Sequence, residues 1–171
     1  VIIAGVQTVA AASATPNVGG NDDSGFSFGF ASGTAAGENV VVCGNNDQGF
    51  GTADTDGYCQ SGECLAMIVI AGGTSVNAHA ALSAWGTDLF TLAWTRATTS
   101  RRYIALAIKG GQWKAGEYTI DNTTLNNTTA VSSLAFQPVG GLIIGRNSAE
   151  QTADTAATED KIGVGVFSST S

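Results

Sequence analysis

His79 is the single histidine of the 171 residues, so a Ser-His-Asp mechanism would have to run through it. It stands in Ala78-His-Ala-Ala-Leu82, and no Gly-x-Ser-x-Gly elbow opens a helix in the chain. A histidine so placed reads as structural or exposed rather than as a base. Asp54-Thr-Asp56-Gly57 has the look of a calcium loop but lacks the later bidentate glutamate of an EF-hand. Calcium is the one cofactor the carboxylates leave open. Asp22-Asp23 and Glu159-Asp160 each precede a strand-like run and read as solvated loop charges. No spacing selects two carboxylates as a glycosidase pair. With three cysteines and one histidine the chain is too poor in soft ligands for a zinc site. Cys59 and Cys64 flank Gln60-Ser-Gly-Glu63, a segment short enough to close a disulfide loop; a bridge and two thiols fit equally well. Cys43, in the apolar run Val40-Val-Val-Cys43, reads as a buried thiol. Catalytic and metal-ligating residues are therefore expected to be none.

The aromatic residues are the remaining chemistry. A sugar ring stacks on an aromatic face, and Trp85, Trp94, Trp113, Tyr58, Tyr103 and Tyr118 are the candidates. Trp94 and Tyr103 fall inside strand-like runs and read as core. Trp113, between Gly111 and Gly116, is the residue best placed to be exposed, with Tyr118 beside it. These two are the expected carbohydrate contacts, if carbohydrate is bound; packing in a subunit interface is the competing use of the same side chains.

What must position these residues is set by composition. The chain is 43% hydrophobic and only 12% charged, with 23 glycines and 2 prolines. Low charge with abundant small residues excludes a charged disordered tail and argues against a helical bundle. The net charge is −7 with only 7 basic residues, too few to track a phosphate backbone, so nucleic acid is excluded as a partner. The longest apolar run, Leu65–Ala71, has the length of a strand and not of a membrane helix, so no membrane insertion is expected. Val1-Ile-Ile-Ala-Gly-Val6 lacks a basic leader and reads as a strand met halfway, as if the numbering began inside a longer product.

Apolar positions recur mostly with period two, as in Phe26, Phe28 and Phe30. Strands are predicted near 1–8, 25–32, 38–43, 63–71, 77–85, 88–95, 102–109, 117–121, 129–136, 141–146 and 161–168, with polar loops at 10–24, 45–57, 96–101 and 148–160. Many short strands between Gly/Asn/Asp turns predict an all-β chain, a sandwich or a barrel.

Two blocks recur in the same order. Val1-Ile-Ile-Ala-Gly5 and Asp22-Asp-Ser-Gly-Phe-Ser-Phe-Gly-Phe30 correspond to Gly141-Leu-Ile-Ile-Gly145 and Glu159-Asp-Lys-Ile-Gly-Val-Gly-Val166. Gly5 falls on Gly145 and Gly29 on Gly165, and Phe26, Phe28 and Phe30 fall on Ile162, Val164 and Val166. Residues 1–120 are expected to form one near-complete repeat, whose first strand lies upstream of residue 1, and residues 121–171 to begin a second.

Four segments carry a family resemblance. Val131-Ser-Ser-Leu-Ala-Phe-Gln-Pro-Val-Gly-Gly-Leu-Ile-Ile144, Gly86-Thr-Asp-Leu-Phe-Thr-Leu-Ala-Trp94, Arg102-Tyr-Ile-Ala-Leu-Ala-Ile-Lys-Gly-Gly111 and the cysteine-bearing Tyr58-Cys-Gln-Ser-Gly-Glu-Cys-Leu65 resemble, in order and spacing, the tandem β-sandwich repeats of tailed-phage and prophage virion-associated proteins. One departure is Ala135, where the family usually has glycine before Phe-Gln-Pro. The resemblance implies a two-sheet β-sandwich of jelly-roll or lectin-like type, in a structural virion protein, extracellular or on the particle, that forms or decorates a fibre, neck, tail or capsid appendage. It implies no catalytic residue, so a non-enzyme is expected. The partners it implies are copies of the chain itself and other virion proteins. The alternative is a carbohydrate-binding adhesin that recognises a host surface glycan.

Overall fold

The computed structural model describes residues 2–5, 24–47, 54–68, 76–97, 103–119, 128–146 and 161–169. Regular structure there is almost entirely strand: β1 (Ile2–Gly5), β2 (Ser24–Ala31), β3 (Asn39–Asp47), β4 (Asp54–Ser61), β5 (Leu65–Ile68), β6 (Val76–Trp85), β7 (Phe90–Ala97), β8 (Ile104–Ala107), β9 (Gly140–Arg146) and β10 (Ile162–Ser168). A single 3₁₀ turn, Ala36–Glu38, is the helical element among the described residues. Every pairing is antiparallel, as the alternating patterns require. The strands form a five-stranded sheet in the order β4-β3-β2-β1-β8, a three-stranded sheet β5-β6-β7 and a two-stranded sheet β10-β9.

The first two sheets share an interior, which makes the fold sandwich-like. One apolar cluster gathers Val41, Cys43 and Tyr58 from β3 and β4 with Ala66, Ile68 and Val76 from β5 and β6. A second joins Ala31 of β2 to Cys64, Leu65, Met67, Ala78, Ala80 and Leu82, with Phe90 and Leu92 of β7 against it. β5 is the seam: alternate residues serve different clusters, so all four are buried.

Period two in β2 is real, but its burial is the reverse of the apolar pattern. Ser27, Gly29 and Ala31 face inward, while Phe28 is 36% exposed and Phe26 and Phe30 are half-buried. The reason is close approach. A Cβ on Gly29 would lie 1.7 Å from the carbonyl oxygen of Cys64, so the backbone between the sheets leaves room only for glycine. The phenylalanines take the other face, where the rings of Phe26 and Phe28 pack at 5.7 Å.

Three further expectations are corrected. The polar stretch 45–57 is not a loop throughout: β3 runs on to Asp47, and β4 begins at Asp54 and pairs along it, from Asp47↔Asp54 to Val40↔Ser61. A backbone ladder does not need apolar side chains, so Asn45, Asn46, Asp54 and Asp56 join a sheet despite their low β propensity. Asp54–Gly57 is accordingly strand. No strand forms over 117–119; Gly110 and Gly111, at φ 94° and 73°, turn the chain out of the ladder after β8. The stretch 129–136 is irregular as well. Ser133 and Ala135 adopt φ of 64° and 61°, which no strand sustains, and Pro138 has no amide to donate. The loops at 10–23 and 148–160, with Asp22, Asp23, Glu159 and Asp160, lie outside the described residues, as do the ends of several predicted strands.

The two recurring blocks both form antiparallel pairs, β1 with β2 and β9 with β10. Their registers differ by one residue. Ala4 lies opposite Gly29, yet the residue opposite Gly165 is Ile143 rather than Ile144. A one-residue slip exchanges the faces of one strand relative to the other.

Candidate functional site

Three places gather side chains with chemical or binding capacity. The first is between the layers. Tyr58 of β4 is fully buried, and its hydroxyl lies 3.0 Å from Glu63 Oε2 and within hydrogen-bonding reach of Gln60 Oε1. The other oxygen of Glu63 bonds His79 Nδ1 on β6. Glu63 and His79 are both buried. The Glu63–His79–Tyr58 arrangement links β4, the 62–64 turn and β6 through a carboxylate that accepts from both partners. The sequence places His79 in a strand and offers Tyr58 as a sugar-stacking aromatic; fully buried between the layers, Tyr58 presents no face to a sugar, and Glu63 is the member that the sequence does not single out. The only signal was a lone glutamate and a lone histidine, each at the margin of an apolar run.

Asn39 makes the neighbouring link. It is buried at the start of β3; its Nδ2 donates to Gly33 O at 3.0 Å and Ala35 O at 2.9 Å, and its Oδ1 accepts from the Leu82 amide at 2.9 Å. One side chain thus ties the turn before β3 to the middle of β6 across the two layers.

The cysteines surround this interior. Cys43 and Cys64 are buried and Cys59 is half-buried, and none of the three forms a disulfide in the structure. Burial pushes the Cys43 thiol far above its ordinary range, outweighing the opposing pull of Arg146. Burial likewise pushes Cys64 up to about 11, against backbone hydrogen bonds that lower it. Neither is a thiolate at neutral pH, so neither has the character of a nucleophile. Among the described residues no group of three His, Cys, Asp or Glu stands close enough to hold a metal ion.

The second place is an exposed aromatic ledge. After the glycine turn, Trp113 is 48% exposed, with its indole N–H donating to Gly110 O, and Tyr118 is exposed further along. The segment is fastened to the 32–38 turn: the Ala115 amide donates to Ser32 Oγ at 2.9 Å, and Lys114 Nζ lies 3.0 Å from Glu38 Oε1. Trp94 and Tyr103 are not core, as their strand patterns suggested. Both are exposed, and their rings pack tilted at 6.0 Å.

The third place is a set of open apolar strands. All four residues of β8 are exposed, Ile104 by 78% and Leu106 by more than half. Leu142 and Ile143 of β9 and Val164, Val166 and Phe167 of β10 are exposed too, Val166 by 81%. β8 ends the five-stranded sheet, and β9 and β10 have only each other among the described strands.

No protein-family model matches the chain, and neither curated proteins nor solved structures give a match. Among the described residues no helix is long and apolar enough to cross a membrane.

Proposed function

We propose that this chain is a structural protein of a tailed bacteriophage particle, a β-sandwich unit that forms or decorates an appendage. The observation that carries it is the exposure of β8, β9 and β10. A lone two-stranded sheet with valine, leucine, isoleucine and phenylalanine open to water is marginal at best, and monomeric proteins do not ordinarily leave such strands uncovered. Assembly removes that cost. Residues 1–120 act as one repeat and 121–171 as the opening of the next, in keeping with the recurring blocks and with the phage-type landmarks in the sequence. The partners are copies of the chain and neighbouring virion proteins, and the location is the particle. The chain acts by packing and not by catalysis, its buried Glu63–His79–Tyr58 network serving as a strut between sheets. An antibody raised against the chain and applied to intact particles of its source tests this. Regular labelling of a tail, neck, fibre or capsid site is expected; label confined to cell debris overturns it.

One observation favours a second use on the same scaffold. Trp113 and Tyr118 offer exposed rings on a segment anchored to the 32–38 turn, which suits stacking on a host glycan. On a glycan array, binding that disappears in Trp113→Ala while the fold persists supports an adhesin; no binding by the unaltered chain removes it.

A further inference from the structure

The exposed strands of this chain are complementary in a specific way. β8 already pairs with a strand of the type Ile-Ile-Ala-Gly: Ile2 stands opposite Ala107, Ile3 opposite Leu106, Ala4 opposite Ala105 and Gly5 opposite Ile104. The same block recurs in β9 as Leu142-Ile-Ile-Gly145. β1 is flanked on both sides, by β2 and by β8. Its counterpart β9 has the β2-like neighbour, β10, but no β8-like one among the described strands. β8 in turn has β1 on one edge, and no described strand on the other. Each copy thus presents one edge of β8 and one edge of β9 among the described strands, and β9 repeats the residue types that β1 sets against β8.

We infer that copies of the chain join by strand addition, the β9 edge of one copy pairing antiparallel with the outer edge of β8 in a partner subunit. This rests on the assembly function proposed above and specifies its joint. Ile143, the counterpart of Ile3, lies opposite Leu106 of the partner subunit on the edge of β8 away from β1. The five-stranded sheet continues through the joint as β4-β3-β2-β1-β8 and then the partner's β9-β10. Main-chain hydrogen bonds along the edge supply affinity, and the exposed Leu106, Ile104, Leu142 and Ile143 become covered. Two different surfaces meet, so the contact is head-to-tail and builds a ring or an open filament rather than a closed two-fold dimer.

Two surface substitutions test the joint on the full chain. Leu106→Lys spoils only the β8 side, and Ile143→Lys only the β9 side. Native mass spectrometry is expected to find each variant alone as a monomer, because every joint then contains a lysine. An equimolar mixture regains one intact joint and is expected to give 1:1 heterodimers and nothing larger. Either variant assembling like the unaltered chain, or a mixture that stays monomeric while both variants keep their β circular-dichroism spectrum, overturns this joint and leaves assembly through another surface standing. An unaltered chain that is itself monomeric overturns the assembly function as well. Hydrogen exchange on the unaltered chain gives a reading independent of any variant. Slower exchange of residues 104–107 and 141–145 at high concentration supports the joint; unchanged exchange there, when other strands slow, overturns it.

Discussion

Asn39 illustrates how much of this fold hangs on single polar atoms between layers. Its three hydrogen bonds all end on backbone groups of other segments, and its side chain is fully buried. Asn39→Ala leaves a buried Leu82 amide and two carbonyls without that partner. A loss of about 3 kcal/mol is expected in urea unfolding, since each unsatisfied buried group costs about 1–3 kcal/mol; a loss under about 1 kcal/mol would show that water replaces the side chain. Cys64 offers a second test at this scale. Burial raises its folded-state pKa from the ordinary 9.0 to about 11, so the folded chain holds the thiol proton more tightly than the unfolded one. The resulting stability is fully present below about pH 9 and is lost as the pH rises through about 11. Between those limits the melting temperature of the unaltered chain is expected to fall further than that of Cys64→Ala. Equal falls would place the alkaline loss elsewhere.

At the scale of elements, Ala135 marks where the backbone departs from an extended path. Its φ of 61° is left-handed, a region that costs alanine about 1–2 kcal/mol and glycine almost nothing. Part of that is returned because glycine loosens the unfolded chain. Ala135→Gly is therefore expected to stabilise by about 0.5 kcal/mol, and Ala135→Val to destabilise by about 1 kcal/mol or more, β-branching being least tolerated there. The opposite order in chemical denaturation would mean that the turn relaxes. The same turn shows the limit of reading elements from sequence. Alternation located β2, β6, β7, β9 and β10 closely, because side chains of an extended chain point to opposite faces with period two whether or not one face is buried. It did not reveal that β2 turns Gly29 rather than its phenylalanines inward, since that depends on the Cys64 backbone arriving from another sheet. β4 was invisible because pairing with β3 stabilises a strand whose own residues do not favour one. Of the candidate site, the exposure of Trp113 could be foreseen from its flanking glycines. The pairing of Glu63 with His79 could not, because it is made by the packing of β6 against the 62–64 turn.

For the whole molecule, burial is unevenly distributed. The five- and three-stranded sheets enclose two apolar clusters, while β8 and the β9–β10 pair carry large apolar side chains at their surface. Low charge and abundant glycine, alanine, serine and threonine suit surfaces that must approach other copies closely. The registers of β1–β2 and β9–β10 differ by one residue even though their sequences correspond, so the two pairs share strand order without sharing faces. An uncovered β9–β10 sheet and a covered one differ in stability by the burial of its valines and isoleucines, each worth roughly 1.5–3 kcal/mol when fully buried. Assembly and stability are therefore coupled, and dilution is expected to lower both. Sedimentation equilibrium of the unaltered chain over a wide concentration range measures this most directly. Species at multiples of 17.2 kDa that grow with concentration are predicted; a single 17.2 kDa species at every concentration would contradict the account.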